Sequence, residues 1–271
     1  MRVNLDVFEH KFPRSGRGSQ YNIYLLSDIH AGSKHIQDAE LHATIADIRR
    51  DDFARWVGLG DLGDWIAYSD RRFEHYEMAD WLDIADPWMS TLEYLVDKLR
   101  PIKDKCLGLV RGNHELVAHQ RYHFSAHKHL CAMLGALNLG DAAFMRLKFQ
   151  RSASSDRREN VMYLTHGWGG GRTAGSRANK IEQLMRDFEA DIYSFGHVHG
   201  QQVMVRSTRT QVNRDIDVAE ARVRYGATSG TFLTMAEYEQ RNGYAASAVG
   251  STRIQLRPFD SREARRIQVV C

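Results

Sequence analysis

The sequence predicts an α/β fold in which a largely parallel sheet, covered by helices on both faces, passes into a more antiparallel C-terminal part. Three observations carry this expectation. Apolar runs of strand length alternate with amphipathic helical stretches as far as residue 200. After that point only strand-like runs remain. A polar cluster also follows each of five earlier strands, the place where open α/β sheets gather their ligands.

Val3 to Phe8 has strand-forming residues and leads into a loop, Pro13 to Ser19. Tyr21 to Leu26 is the next strand and delivers Ser27-Asp28-Ile29-His30. Gln37 to Arg50 places Leu41, Ile45 and Ile48 on one helical face. Trp56 to Leu59 delivers Gly60-Asp61-Leu62-Gly63-Asp64. From Met78 to Arg100 an apolar stripe runs through Trp81, Trp88 and Leu99, divided where Asp86-Pro87 caps and starts a second helix. That stripe suits core packing, and its exposed faces suit a contact between copies of the chain.

Cys106 to Val110 is a buried strand that delivers Arg111-Gly112-Asn113-His114-Glu115. Leu116 to Leu134 reads as one helix, with His119, His123 and His127 on a single face. Phe144 to Gln150 and Val161 to Thr165 are strands around a basic connector, Arg151 to Asn160. The second delivers His166 and a glycine run, Gly167 to Gly171, followed by Arg172. Ile181, Leu184, Met185 and Phe188 mark an amphipathic helix, and Asp191 to Phe195 a strand that delivers Gly196-His197-Val198-His199. The tail adds strands at Val203 to Arg206, Arg222 to Gly226, Arg253 to Phe259 and Ile267 to Val270. No repeat or long linker divides the chain, so residues 1–271 are expected to form one domain.

Apolar content of 43% and charged content of 26% are those of a soluble globular protein. No apolar run approaches the roughly 20 residues that span a bilayer, and the N-terminus lacks the apolar segment of a signal peptide. The three cysteines are widely spaced, which excludes a disulfide framework or thiolate zinc site and fits a cytoplasmic protein without a membrane partner. Net charge is +3, and residues 201–271 hold 11 Arg and no Lys against 7 acidic residues. Arginine's planar fork suits phosphate, and a solvated surface explains the same count.

Five strand-end clusters then stand together: Asp28/His30, Asp61/Asp64, Asn113/His114, His166 and His197/His199. In extended backbone residues i and i+2 point the same way, so Asp28 and His30 are expected to reach one ion. Carboxylate, imidazole and amide oxygen without thiolate suit Mn, Fe or Zn. Buried without metal, so many polar groups would need many compensating partners. Gly60, Gly112, Gly167 and Gly196 leave room for unusual backbone angles and close approach.

In these blocks the chain resembles the calcineurin-like metallophosphoesterases, whose pattern is D-x-H, G-D-x-x-D, G-N-H-(D/E), H and G-H-x-H in this order. All five stand here without substitution between residues 28 and 199. The resemblance implies a four-layer α/β/β/α sandwich, with mixed sheets flanked by helices, and two divalent ions, Mn²⁺ foremost with Fe, Zn or Ni as alternatives. It implies Asp28, His30, Asp61 and His199 around one ion, and Asp61, Asn113, His166 and His197 around the other. It further implies that His114 acts on the leaving group, with Asp64 orienting it, and that a water bridging the ions is the nucleophile.

Protein serine/threonine phosphatases of this superfamily usually follow the second block with a phosphate-gripping Arg, where Trp65-Ile66 stand here. Arg111 is similar to the residue those phosphatases carry before the third block. Arg111, Gly170 and Arg172 are the expected substrate contacts, the glycine run offering backbone N–H groups to a phosphate. The leading expectation is a phosphodiesterase or nuclease acting on nucleotide or nucleic-acid substrates. The alternatives are a phosphomonoesterase, a hydrolase of some other ester and a non-catalytic scaffold.

Overall fold

The computed structural model describes residues 5–66, 75–152, 154–171, 173–213, 218–234, 248–262 and 266–271. Its strands are β1 (Asp6–Lys11), β2 (Tyr21–Leu26), β3 (Ala54–Gly58), β4 (Cys106–Leu109), β5 (Ala142–Gln150), β6 (Arg157–Thr165), β7 (Ile192–Phe195), β8 (Gln202–Asn213), β9 (Val218–Thr228), β10 (Thr252–Leu256) and β11 (Ile267–Val270). Its helices are α1 (Asp38–Arg50), α2 (Pro87–Leu99), α3 (Asn113–Tyr122), α4 (Ala126–Leu134) and α5 (Ala174–Asp187).

The strands form two sheets rather than the one read from the alternation: a six-stranded sheet in the order β1-β5-β6-β7-β9-β8 and a five-stranded sheet in the order β11-β10-β2-β3-β4. Both are mixed. β2, β3 and β4 run parallel while β10 and β11 are antiparallel. In the larger sheet β6, β7 and β9 run parallel, with antiparallel pairs β5/β6 and β8/β9.

Three apolar clusters separate four layers. Between the sheets Tyr21, Ile23, Leu25 and Val57 meet Met145, Leu147, Phe149 and Leu164. Alternate burial along β5 is what one inward face predicts. On the outer face of the smaller sheet Leu41, Ile48, Leu92, Leu95, Leu99 and Leu130 pack on Tyr24, Leu26 and Trp56. Covered on both sides, β2 is buried at all six residues, with the side chain of Asn22 bonded to Asp51. Beyond the larger sheet, Ile181, Leu184 and Met185 of α5 cover Tyr163, Tyr193 and Phe195. The α/β/β/α sandwich implied by the sequence resemblance is therefore the architecture observed.

Two helical expectations need correction. Met78 to Asp86 is not a helix, because the Asp83 carboxylate captures the Ala85 N–H in a local turn (2.9 Å) and competes with helical bonding. Asp86 does cap α2, accepting from Met89 N at 3.2 Å with Pro87 in the first turn. The stretch from Leu116 to Leu134 is two helices, broken where His123 adopts φ 56°. His119, His123 and His127 consequently share no face: His119 lies against the Ser125 hydroxyl, and His127 is buried on Asn138 at 2.9 Å. Among the described residues no helix is long and apolar enough to cross a membrane.

Candidate metal centre

The five ligand blocks lie beyond the C-terminal ends of β2, β3 and β4 in one sheet and of β6 and β7 in the other. Loop backbones extend the strand pairing there: Asp28 N donates to Gly60 O (3.1 Å), His30 N to Asp61 O (3.1 Å) and Gly196 N to His166 O (3.0 Å). The loops touch so closely that a side chain on Gly196 would put its Cβ 1.9 Å from Ser27 Oγ and 2.7 Å from Asp28 Oδ2. Asp28, His30, Asp61, His197 and His199 all adopt left-handed backbone, with φ between 49° and 67°. The extended geometry expected at Asp28 and His30 is thus not what converges them. Such conformations cost about 1–3 kcal/mol each, and surrounding structure must hold them.

Three sets of ligand atoms gather within 4.8 Å of one another: Asp28/His30/His199, His30/Asp61/His114 and Asp61/His166/His197. His30 belongs to the first two groups and Asp61 to the last two. Each carboxylate is anchored by one oxygen and turns the other inward. Asp28 Oδ2 accepts from Ser27 Oγ and from His197 N (2.9 Å), leaving Oδ1 toward His199 Nε2 (3.3 Å) and His30 Nε2 (3.9 Å). Asp61 Oδ1 accepts from His114 N (2.9 Å), leaving Oδ2 at 3.1 Å from His166 Nε2. His166 points Nδ1 at the Leu59 carbonyl (2.6 Å), which fixes the proton on Nδ1 of the neutral ring and frees Nε2 as a ligand atom.

The donor set fits a cation. Asn113 Oδ1 faces three acceptors, His166 Nε2 at 2.9 Å, His197 Nδ1 at 2.7 Å and Asp61 Oδ2 at 3.2 Å. An amide nitrogen turned into that place has two hydrogens for three acceptors, whereas one positive ion satisfies all four atoms. Asp28 Oδ1 and His30 Nε2 are likewise buried without a hydrogen-bond partner. Buried polar atoms in such numbers are otherwise costly.

Charge tells the same story. Burial raises a carboxyl pKa, yet Asp28, Asp61 and Asp64 all lie below the usual range because imidazoles outweigh it: His199 and His166 at Asp28, His114 and His166 at Asp61, His114 and His30 at Asp64. Against the opposing effect of burial, Asp61 and Asp28 lift His166 to about 9, while burial and the neighbouring His166 lower His197. His114 sits at the rim with Nδ1 on Asp64, 2.7 Å from its carbonyl and 3.2 Å from Oδ1, and Nε2 4.0 Å from Asp61 Oδ2. The same Asp64 oxygen lies 3.1 Å from His30 Nδ1.

Of the expected substrate contacts, Arg111 and Gly170 are already engaged by other residues of the chain. Arg111 is forked onto Asp141 at 2.7 and 2.8 Å. Gly170 is exposed, its carbonyl held by Lys180 (2.7 Å) and Ser176 (3.3 Å). Arg172 lies outside the described residues. Arginines of the tail are also engaged: Arg206 pairs with Glu182, and buried Arg224 with Glu189, Met185 O and Tyr193. Two supporting features escaped the sequence reading. Thr231 Oγ1 and Phe232 N both donate to the Asp28 carbonyl, at 2.9 and 3.0 Å. Glu115 lies buried beneath Asp61. The first has no local signal, because it joins residues about 200 apart in the chain. The second is visible only as the acid that closes the third block.

No protein-family model matches the chain, and no curated protein matches it. Solved structures to which it is similar include a metallophosphoesterase from Sphaerobacter thermophilus, 14% identical over 92% of this chain and 87% of that one, with a TM-score of 0.42. A conserved uncharacterized protein from Streptococcus pneumoniae, described as a predicted phosphoesterase, is 10% identical over 93% and 98%, TM-score 0.37. GAP50, described as the anchor in the inner membrane complex of Plasmodium, is 12% identical over 88% and 81%, TM-score 0.42. Likeness at this level carries no argument about activity. The layers and the five ligand blocks of the chain itself have the layout of a calcineurin-like metallophosphoesterase.

Proposed function

We propose that this protein is a dinuclear metal-dependent hydrolase of phosphodiesters, acting on nucleotides or nucleic acids. The observation that carries this reading is the run of three ligand groups joined through His30 and Asp61, with His114 held on Asp64. Asp28, His30, Asp61 and His199 would hold one divalent ion, and Asp61, Asn113, His166 and His197 the other. When bound, such ions supply charge against phosphoryl oxygens and lower the pKa of water.

The chain's own residues do the rest. Asp64, held below the usual carboxylate range, stays ionised at neutral pH and fixes the proton of His114 on Nδ1. Protonated also on Nε2, His114 donates that proton to the departing oxygen. His30, tied to the same carboxylate, keeps its Nε2 turned toward Asp28.

Charge balance favours a diester over a monoester. A monoester's terminal phosphate carries a second negative charge, and among the described residues Arg111 and Arg177, which follow ligand-bearing strands, are already engaged. Arg111 holds Asp141, and Arg177 holds Gly171 O (3.0 Å) and Gln202 (3.2 Å). Trp65 stands where protein phosphatases carry their Arg, and it is 3% exposed with its indole N–H turned inward to Glu115. The test is hydrolysis of bis-p-nitrophenyl phosphate beside p-nitrophenyl phosphate by metal-stripped protein reloaded with Mn²⁺. Faster turnover of the diester is expected. Faster turnover of the monoester would move the assignment to a phosphomonoesterase, and no turnover with two ions bound would leave a scaffold.

A further inference from the structure

Glu115 lies in the third block, where its carboxylate accepts from N–H groups of the loop after β3, of Trp65 and of Gly112. Its side chain is 2% exposed, and four N–H groups converge on its carboxylate. Oε2 accepts from Gly112 N at 3.0 Å and Asp61 N at 3.1 Å. Oε1 accepts from Leu62 N at 2.9 Å and Trp65 Nε1 at 3.2 Å. Two of these donors belong to the loop after β3, one to its continuation at Trp65, and one to the entry of α3, where Glu115 sits in the first turn and favours negative charge.

This clamp has consequences for Asp61. The residue adopts φ 49°, a conformation that an Asp holds only when its surroundings impose it. Its side-chain oxygens divide their work, Oδ1 on His114 N at the start of α3 and Oδ2 in the ligand cluster, so the angle between loop and helix decides where Oδ2 points. The contact leaves no slack. A Cβ on Gly112 would lie 2.2 Å from both Asp61 N and Asp61 Oδ1 and 2.5 Å from Glu115 Oε2.

We propose that Glu115 is the positioning residue that sets Asp61 as a carboxylate shared between two ions, by tying the loop after β3 to the N-terminus of α3. The inference rests on the two-ion reading above. It requires a carboxylate and not merely a polar side chain of that size. Each oxygen serves two N–H groups, so either orientation of a glutamine amide sets an NH₂ against two donors. Leaving buried donors unpaired is costly, and relief comes by moving the loop that carries Asp61.

The test uses Glu115→Gln, with Trp65→Phe as a milder variant that removes one donor and leaves three. Mn²⁺ affinity of the metal-stripped proteins is measured by equilibrium titration, and the magnetic coupling of the bound ions by electron paramagnetic resonance. Glu115→Gln is expected to bind Mn²⁺ about 10–100-fold more weakly, the scale of losses beyond the ligands themselves, and to lose the coupled two-ion spectrum while keeping the parent circular dichroism. Parent affinity with an intact coupled spectrum would overturn the assignment. Should Glu115→Gln fail to fold, Trp65→Phe decides: weakened Mn²⁺ binding supports the clamp, and parent-like binding and coupling contradict it. A parent protein that binds a single uncoupled ion would refute the two-ion reading instead. The affinity for that one ion, compared between parent and variants, would still read Glu115.

Discussion

The two halves of the metal centre are built to different tolerances. Around Asn113 the ligand atoms stand 2.7–3.3 Å from one another, and one imidazole is locked by a backbone carbonyl. Ligands about 2.1 Å from an octahedral ion lie about 3 Å apart along each edge, so this half is already close to coordination geometry. Around Asp28 the gaps are 3.3 and 3.9 Å, and the His199 side chain is 26% exposed. On the two-ion reading, that half is expected to close as it binds. The difference teaches that shared chemistry does not give equal affinity: the Asn113 half is expected to fill first and hold its ion more tightly, with Asp61 common to both.

The largest effect expected is that of Asp61→Ala, which removes the shared carboxylate. Both ions should be lost, and kcat/KM on a diester should fall by at least about 10³-fold; metal analysis beside kinetics checks it, and retention of two ions would break the idea of a shared ligand. His114→Ala is expected to lower kcat by about 10²–10⁴-fold while metal content stays near the parent's. Loss of both ions in that variant would move His114 among the ligands.

A finer contrast comes from His199→Ala against His166→Ala. The first should weaken only the looser ion, by at least about tenfold, whereas the second should remove the tighter one, a pattern that competition titration with a chelating dye resolves. If both substitutions weaken the same ion, the division into halves is wrong.

The smallest effect concerns pH. In the metal-free protein His166 titrates near 9 against 6.5 in the unfolded chain, so its stabilisation is complete below pH 6.5 and is lost as pH rises through 9. Asp28 and Asp61 are depressed, so theirs is present above their ordinary value of 3.8 and is lost on acidification. His10, lowered to about 4, and His197, also lowered, resist protonation, so the metal-free Tm should be highest near pH 6.5 and decline both on acidification and toward 9. Stabilisation by Mn²⁺ should grow over the same alkaline window, because binding needs the neutral ring. A flat metal-free Tm from 6.5 to 9 would contradict the charge assigned to His166.

How much of this was legible in the sequence depends on how locally each feature is encoded. The five blocks were legible because each follows its own strand, and β2, β7 and α5 lie close to where periodicity put them. The division into two sheets was not, since it turns on β10 pairing with β2 from the far end of the chain. Nor were the left-handed angles at Asp28 and His30, which depend on hydrogen bonds to the loop at Gly60 and Asp61. The break at His123 has no proline or glycine to announce it, and the Asp141 partner of Arg111 lies thirty residues away. Where a side chain sits was readable; what already holds it was not.

The most direct test of the central claim is a calorimetric titration of Mn²⁺ into metal-stripped protein. Two sites of unequal affinity, reduced to none by Asp61→Ala, are the predicted result. One site, or two equal sites that survive loss of Asp61, would contradict a centre built from two unlike halves around one shared carboxylate.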